Sequence, residues 1–241
     1  PAFVIDGRLW WGQDRLHFVE RALGNETPRA TQTEASGQQV VRFYHDFSSP
    51  FSYLAATQIE RVATAYGVVL EWRPILLGAL FRQIGTPDVP LYEMSEPKRR
   101  YLSKDLADWA EFWGVNFVFP SHFPIRTVLP LRAALVEPRL TSAIYRAAWS
   151  DDLAIDDPAV LSDVIDGAGF NSERILEMAK HEHIKTKLRE NTEEAKQIGA
   201  CGVPTFHLIH QQTERSPLLF WGQDRIHMLE RALMGWQPHC G

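Results

Sequence analysis

Hydrophobic positions along this 241-residue chain change period several times, and the changes mark its organisation. Residues 39–47 hold a nearly continuous apolar run, Val-Val-Arg-Phe-Tyr, the pattern of a buried strand. Ser49-Pro50 follows, a hydroxyl N-cap with proline at the first helical position, and opens a helix predicted to reach Tyr66 and stop at Gly67. Residues 68–74 read as the next strand. Strand, helix and strand joined by a short return predict a right-handed parallel pair. From 77 to 199 nothing reads as strand, and apolar spacings of three and four predict helices near 94–113, 127–136, 140–149, 158–168, 172–180 and 184–198. A strand over 203–210, a hairpin partner over 218–221 and a closing helix over 224–234 complete the chain. The order is βαβ, a helical block, then ββα.

One segment occurs twice. Residues 11–23, WGQDRLHFVERAL, return as 221–233, WGQDRIHMLERAL, with apolar-for-apolar changes at the three positions that differ. A match of this length means one structural unit is present twice. It extends backwards, since Pro1-Ala2-Phe3 parallels Pro204-Thr205-Phe206, with a seven-residue longer connection over 210–217 in the second copy. In the first copy the connection is Asp6-Gly7 between apolar runs, a two-residue hairpin signal. The organisation read from these patterns is a duplicated ββα segment over 1–24, a polar Pro/Gly-punctuated linker over 25–38, a core domain from 39–76 and 200–241, and a helical insertion over 77–199.

Composition narrows the function classes. A net charge of −5 and a pI near 6.0 argue against nucleic acid as a main partner, because phosphate binding needs a basic face. No apolar run has the length of a membrane span, and no secretion signal is visible at the start. Cys201 and Cys240 make no disulfide framework, so free thiols and a cytoplasmic setting are expected. His181, Glu182 and His183 lack zinc-ligand spacing, and no metal is expected.

Removing the helical block leaves the strand and helix order of thioredoxin, in which the first helix begins opposite a proline that opens the third strand. Here the helix begins at Ser49-Pro50-Phe51-Ser52, where a redox member needs Cys-x-x-Cys. Two hydroxyls cannot exchange dithiols, yet a hydroxyl at a helix N-terminus can hold an anion carried by a ligand. The plainer reading is that Ser49 only caps the helix. The facing segment is Gly202-Val203-Pro204-Thr205. A cis bond before Pro204 would explain a proline at the head of a central strand and would free the Val203 backbone for a peptide-like ligand, while a trans proline is the plainer reading. Cys201 beside this turn reads as a small buried filler.

Seven blocks carry a family resemblance: FYHDFSSPFSYLA (43–55), RPILLGALFRQIG (73–85), KRRYLSKDLADWA (98–110), FP (123–124), LRENTEEA (188–195), GVPTF (202–206) and FWGQDR (220–225). Through them the chain resembles the 2-hydroxychromene-2-carboxylate isomerases and kappa-class glutathione transferases of the DsbA-like thioredoxin superfamily. The resemblance implies an α/β thioredoxin-like fold with a large all-helical insertion, to which this chain adds an N-terminal ββα copy of the closing lobe. It implies glutathione as cofactor, with Ser49 at the sulfur, Val203 and cis-Pro204 pairing with the cysteinyl part, Gln223 and Asp224 holding the γ-glutamyl end, and Lys98 reaching the glycyl carboxylate. The implied activity is isomerisation of a small aromatic or conjugated carbonyl acid by reversible thiolate addition. Alternatives are a kappa-like transferase and a non-catalytic glutathione-binding or assembly module. A homodimer is implied, and the first repeat needs a host surface in its own chain or a partner. Thr86 and Arg126 stand where the family usually has asparagine, which puts the natural substrate in question.

Overall fold

The computed structural model describes residues 1–25, 39–211 and 215–238. Most of the expected linker, with Cys240, lies outside the described residues. Four strands form the main sheet: β3 (Gln39–His45), β4 (Val69–Pro74), β5 (Thr205–His210) and β6 (Leu218–Trp221), in the order β4-β3-β5-β6. β3 pairs parallel with β4 and antiparallel with β5, which pairs antiparallel with β6. Between β3 and β4 runs α2 (Pro50–Tyr66), capped by Ser49 and ended by Gly67 at φ 58°, as the punctuation predicts.

The alternation along β3 sorts the two faces. Val41 and Phe43 join Phe206 and Leu208 and pack beneath Leu54, Ile59 and Val62 of α2. Tyr44, facing the other way, joins a second cluster with Ile75 and Leu80. Arg42 shares that second face and donates to Glu71 at 2.9 Å and to Glu194 at 2.7 Å. Glu194 belongs to α9 (Glu182–Gln197), which packs on β4.

Between β4 and β5 the chain is helical: α3 (Leu77–Ile84), α4 (Glu96–Trp113), α5 (Val128–Val136), α6 (Thr141–Trp149), α7 (Pro158–Gly167), α8 (Ser172–Met178) and α9. The sequence pattern does not single out α3. Its start has no side-chain cap of its own. The Leu77 amide instead donates to the Asp46 carboxylate at 2.8 Å, and the Leu76 amide to the Thr192 hydroxyl at 3.0 Å. The helix is capped from elsewhere in the fold, a signal no local window contains. The closing helix α10 (Ile226–Leu233) also starts later than the pattern predicts, because Gln223–Arg225 form a 3-10 turn.

The first repeat forms β1 (Ala2–Ile5), β2 (Arg8–Trp11), a 3-10 turn over Gln13–Arg15 and α1 (Leu16–Ala22). Asp6 at φ 50° and Gly7 at φ 77° make the hairpin turn. The local geometry repeats that of the second copy. Gly12 and Gly222 take φ 103° and 107°, and each donates its amide at 2.9 Å, to the Pro1 and Pro204 carbonyls respectively. A Cβ on either glycine would also push on an aspartate oxygen at 2.5 Å, but it is the positive φ that requires glycine at both positions.

The hairpin does not extend the main sheet. The repeat lies on α4, where His17 and Phe18 of α1 pack against Trp109 and Phe112 with ring centroids 4.7 and 5.5 Å apart. Arg15 is buried there and grips Asp105 bidentately, at 2.8 and 2.7 Å. Removing one partner of a buried pair strands the other charge and costs about 3–5 kcal/mol. Asp14 and Asp224 remain beside Arg15, so Asp105→Ala is expected near the low end, with Tm lower by about 6–12 °C. Asp108→Ala, which loses the exposed Arg8 and the half-buried Lys104 as partners, is expected to cost under about 1 kcal/mol, since both cations keep access to water. Equal melting shifts for the two variants would refute this ranking.

Candidate active site

Chain entry into α2 is held by the helical block. The Phe47 carbonyl accepts from the Trp149 indole at 2.7 Å. Asp46, buried, accepts from the Ser48 amide at 2.9 Å and the Leu77 amide at 2.8 Å, so one carboxylate joins the ends of β3 and α3. Burial pushes its carboxyl up, against the pull of those amide donors. His45 is fully buried, with Nδ1 at 3.0 Å from the Tyr145 hydroxyl.

This frame sets Ser49. Its Oγ accepts from the Ser52 amide at 3.2 Å, the N-cap bond of α2, and donates to the Val203 carbonyl at 3.3 Å. The Val203–Pro204 bond is cis. The hydroxyl is therefore more than a cap: it bridges the helix N-terminus and the proline turn, and is 5% exposed. Gly202 is forced by Trp221, whose indole would lie 2.8 Å from a Cβ there.

From Pro204 the contacts continue. Its carbonyl accepts from Gly222, next to Gln223 and Asp224, and the 223–225 turn packs on α2. The Gln223 side chain is buried, with Oε1 accepting from the Trp113 indole at 3.3 Å and Nε2 without a hydrogen-bond partner among the described residues. Asp224 Oδ2 accepts from Arg15 Nη1 at 2.7 Å. Burial raises the Asp224 carboxyl and the neighbouring Asp14 carboxyl adds to that, against Arg15 and Arg225. Asp14 is less buried, and Asp224, Arg15 and Arg225 together outweigh its burial and hold it below the usual range. Of the two, Asp224 takes up a proton first on acidification.

Ser49, Val203, Pro204, Gln223 and Asp224 thus lie along one line of contacts. Lys98 does not join it. It stands exposed on the first turn of α4, with no hydrogen bond or ion pair to those residues. Arg126 is exposed, and Thr86 follows the Gly85 that ends α3. Cys201 corrects the sequence expectation: it is exposed rather than a buried filler, because the sharp turn into Gly202 points it outward while its neighbours are covered. Arg15, Trp113 and Arg225 are site neighbours that sequence reasoning missed. The only hint was the repeated Gln-Asp-Arg.

The buried histidines give a pH prediction. Desolvation lowers His45 to about 3 and is also the leading cause that lowers His17 to about 4. Both are neutral in the fold, while the unfolded chain protonates them near pH 6.5. The unfolded state therefore binds more protons below about pH 6.5, and stability falls as pH drops from there toward 3. Urea unfolding at pH 7.5 and pH 5 is expected to differ by about 2–4 kcal/mol, the more acidic sample being weaker. Equal midpoints would refute neutral burial.

Residues 40–234 match the model of the DSBA-like thioredoxin domain family. The 2-hydroxychromene-2-carboxylate isomerase of Pseudomonas sp. (strain C18) is 30% identical over 200 residues, 81% of this chain and 91% of that protein. A kappa 1 glutathione S-transferase of Caenorhabditis elegans is 28% identical over 82% of this chain and 92% of its own. The solved structure of a 2-hydroxychromene-2-carboxylate isomerase superposes with a TM-score of 0.70 at 25% identity, covering 81% of this chain and 94% of the other.

Proposed function

The chain belongs to the DSBA-like thioredoxin family, among its 2-hydroxychromene-2-carboxylate isomerases and kappa-class glutathione transferases, and from that premise we propose that it is a glutathione-dependent isomerase. The observation that carries this reading is the Ser49 hydroxyl, held at a helix N-terminus and 3.3 Å from the Val203 carbonyl beside a cis-proline. A serine there can donate to a bound thiolate, with the α2 dipole assisting, and cannot perform dithiol exchange.

The residues fit glutathione. Gln223 carries an orphaned buried amide donor, the kind of atom a ligand carboxylate satisfies. Asp224 keeps one carboxylate oxygen beyond its Arg15 contact, enough for an ammonium. Val203 offers its backbone once Ser49 turns its hydroxyl to the ligand, and Lys98 is free on the surface to reach a glycyl carboxylate. When bound, glutathione would supply a thiolate able to add reversibly to a conjugated aromatic acid. Ser49 lowers the cost of holding that charge, and the turn at 222–224 fixes the tripeptide so that the sulfur is positioned. A dependence on reduced glutathione is in keeping with a cytoplasmic setting. A kappa-like transferase would use the same residues and release a conjugate, so product identification separates the two.

Thermal shift is the test. Glutathione at a hundredfold excess over its Kd is expected to add about 2.7 kcal/mol, raising Tm by about 5–10 °C. Ser49→Ala and Asp224→Ala should each reduce the shift. A wild-type Tm unmoved by millimolar glutathione would sink the proposal.

A further inference from the structure

The two copies of the repeat touch, and they do so reciprocally. Arg15 Nη1 donates to Asp224 Oδ2 at 2.7 Å, and Arg225 Nη1 donates to Asp14 Oδ2 at 3.0 Å. Residue 15 of one copy meets the aspartate of the other, and the counterpart of residue 15 meets the counterpart of that aspartate. Positions that a two-fold axis would place against themselves also come together: the Asp14 and Asp224 carboxylates meet on the one Arg15 Nη1, at 3.0 and 2.7 Å. This is the pattern of an isologous interface, in which one surface meets its own image.

The rest of the docking surface is used once. Arg15 also grips Asp105 of α4, and His17 and Phe18 lie on Trp109 and Phe112. In the second copy the equivalents are Arg225, with 29% of its side chain exposed, His227, exposed, and Met228, half-buried. On a molecule without the first repeat, Arg225 is released from Asp14, and with His227 it is open to take the same places against α4.

We propose that residues 1–24 occupy the position that the closing lobe of a second copy of this chain would otherwise fill. The face built by α4 and the 223–225 turn is a homotypic docking surface, and the chain's own first repeat sits on it. The intact chain is then a monomer with an internal pseudo-dimer interface, in place of the homodimer expected from the resemblance. The arginine beside Asp224 comes from the repeat in this chain and would come from a partner in a chain without it.

Sedimentation equilibrium tests this without reference to glutathione, so its failure is separate from failure of the enzyme proposal. The intact chain should run at its monomer mass of 27.5 kDa at micromolar concentration. Deleting residues 1–25 leaves the family-matched region whole and should give a concentration-dependent dimer. Arg225→Glu in the deleted chain should return it to monomer by making the reciprocal pairs repulsive. If the deleted chain aggregates, Asp14→Arg in the intact chain sets two guanidiniums together and should produce dimer, which Arg225→Asp added to it should reverse. An intact chain that is already dimeric, or a deleted chain that stays monomeric, overturns the proposal. So does an Asp14→Arg chain of unchanged mass.

Discussion

Ser49→Ala is expected to lower kcat/KM by about 10²–10³, the usual cost of removing one preorganised donor to a site of negative charge. The hydroxyl is buried at the start of α2, where it and nearby backbone groups can offset the desolvation of a thiolate. Alanine keeps the helix and the cis-Pro204 turn but leaves the sulfur with the dipole alone. The bound thiol then ionises at higher pH, so residual activity should climb with pH where the wild type is level. Loss of the N-cap bond costs stability as well, about 1 kcal/mol, or a Tm decrease of about 2–4 °C. A purely capping role predicts that small Tm shift with kcat/KM intact. Steady-state rates at several pH values, with glutathione and a conjugated aromatic acid, separate the two roles.

Trp149→Ala should have the largest effect on stability. The side chain is fully buried in α6, with Phe117 stacked at 6.0 Å and Phe119 edge-on at 5.7 Å, and its indole donates to the Phe47 carbonyl. Truncation of such a residue costs about 3–5 kcal/mol in lost burial and cavity, which corresponds to about 6–20 °C in Tm. Trp149→Phe keeps most of the volume but leaves the Phe47 carbonyl unpaired, for about 1–3 kcal/mol. That carbonyl lies two residues before Ser49, so the phenylalanine variant should also weaken turnover at temperatures where it is folded. Chemical denaturation of the three proteins ranks them, and a Phe variant weaker than the Ala variant would contradict the packing argument.

Elements with local signals were legible in the sequence. The apolar run of β3, the Ser49-Pro50 start and Gly67 stop of α2, and the spacing of α4 through α9 all predict what the structure contains. α3 was not, because its cap is supplied by Asp46 and Thr192 from other elements. Cys201 was misjudged for a related reason: its exposure depends on how the turn at 202–204 is held, not on its neighbours in sequence. The grouping of Ser49, Val203 and Pro204 could be anticipated from their order within a thioredoxin-like arrangement. Lys98, placed in the same group by resemblance, stands apart from it.

The repeat shows most directly where local information ends. Gln13-Asp14-Arg15 and Gln223-Asp224-Arg225 share sequence and share backbone geometry, down to the φ of the preceding glycine. By itself the sequence determined that much, because hairpin turns, 3-10 turns and short helices are set by residues within a few positions of one another. Only the tertiary structure decided that Gln223 is buried against Trp113 while Gln13 is exposed, and that Arg15 rather than Arg225 finds Asp105. Burial and ion pairing are contacts between elements distant in the chain, and identical strings acquire different partners when different elements stand beside them.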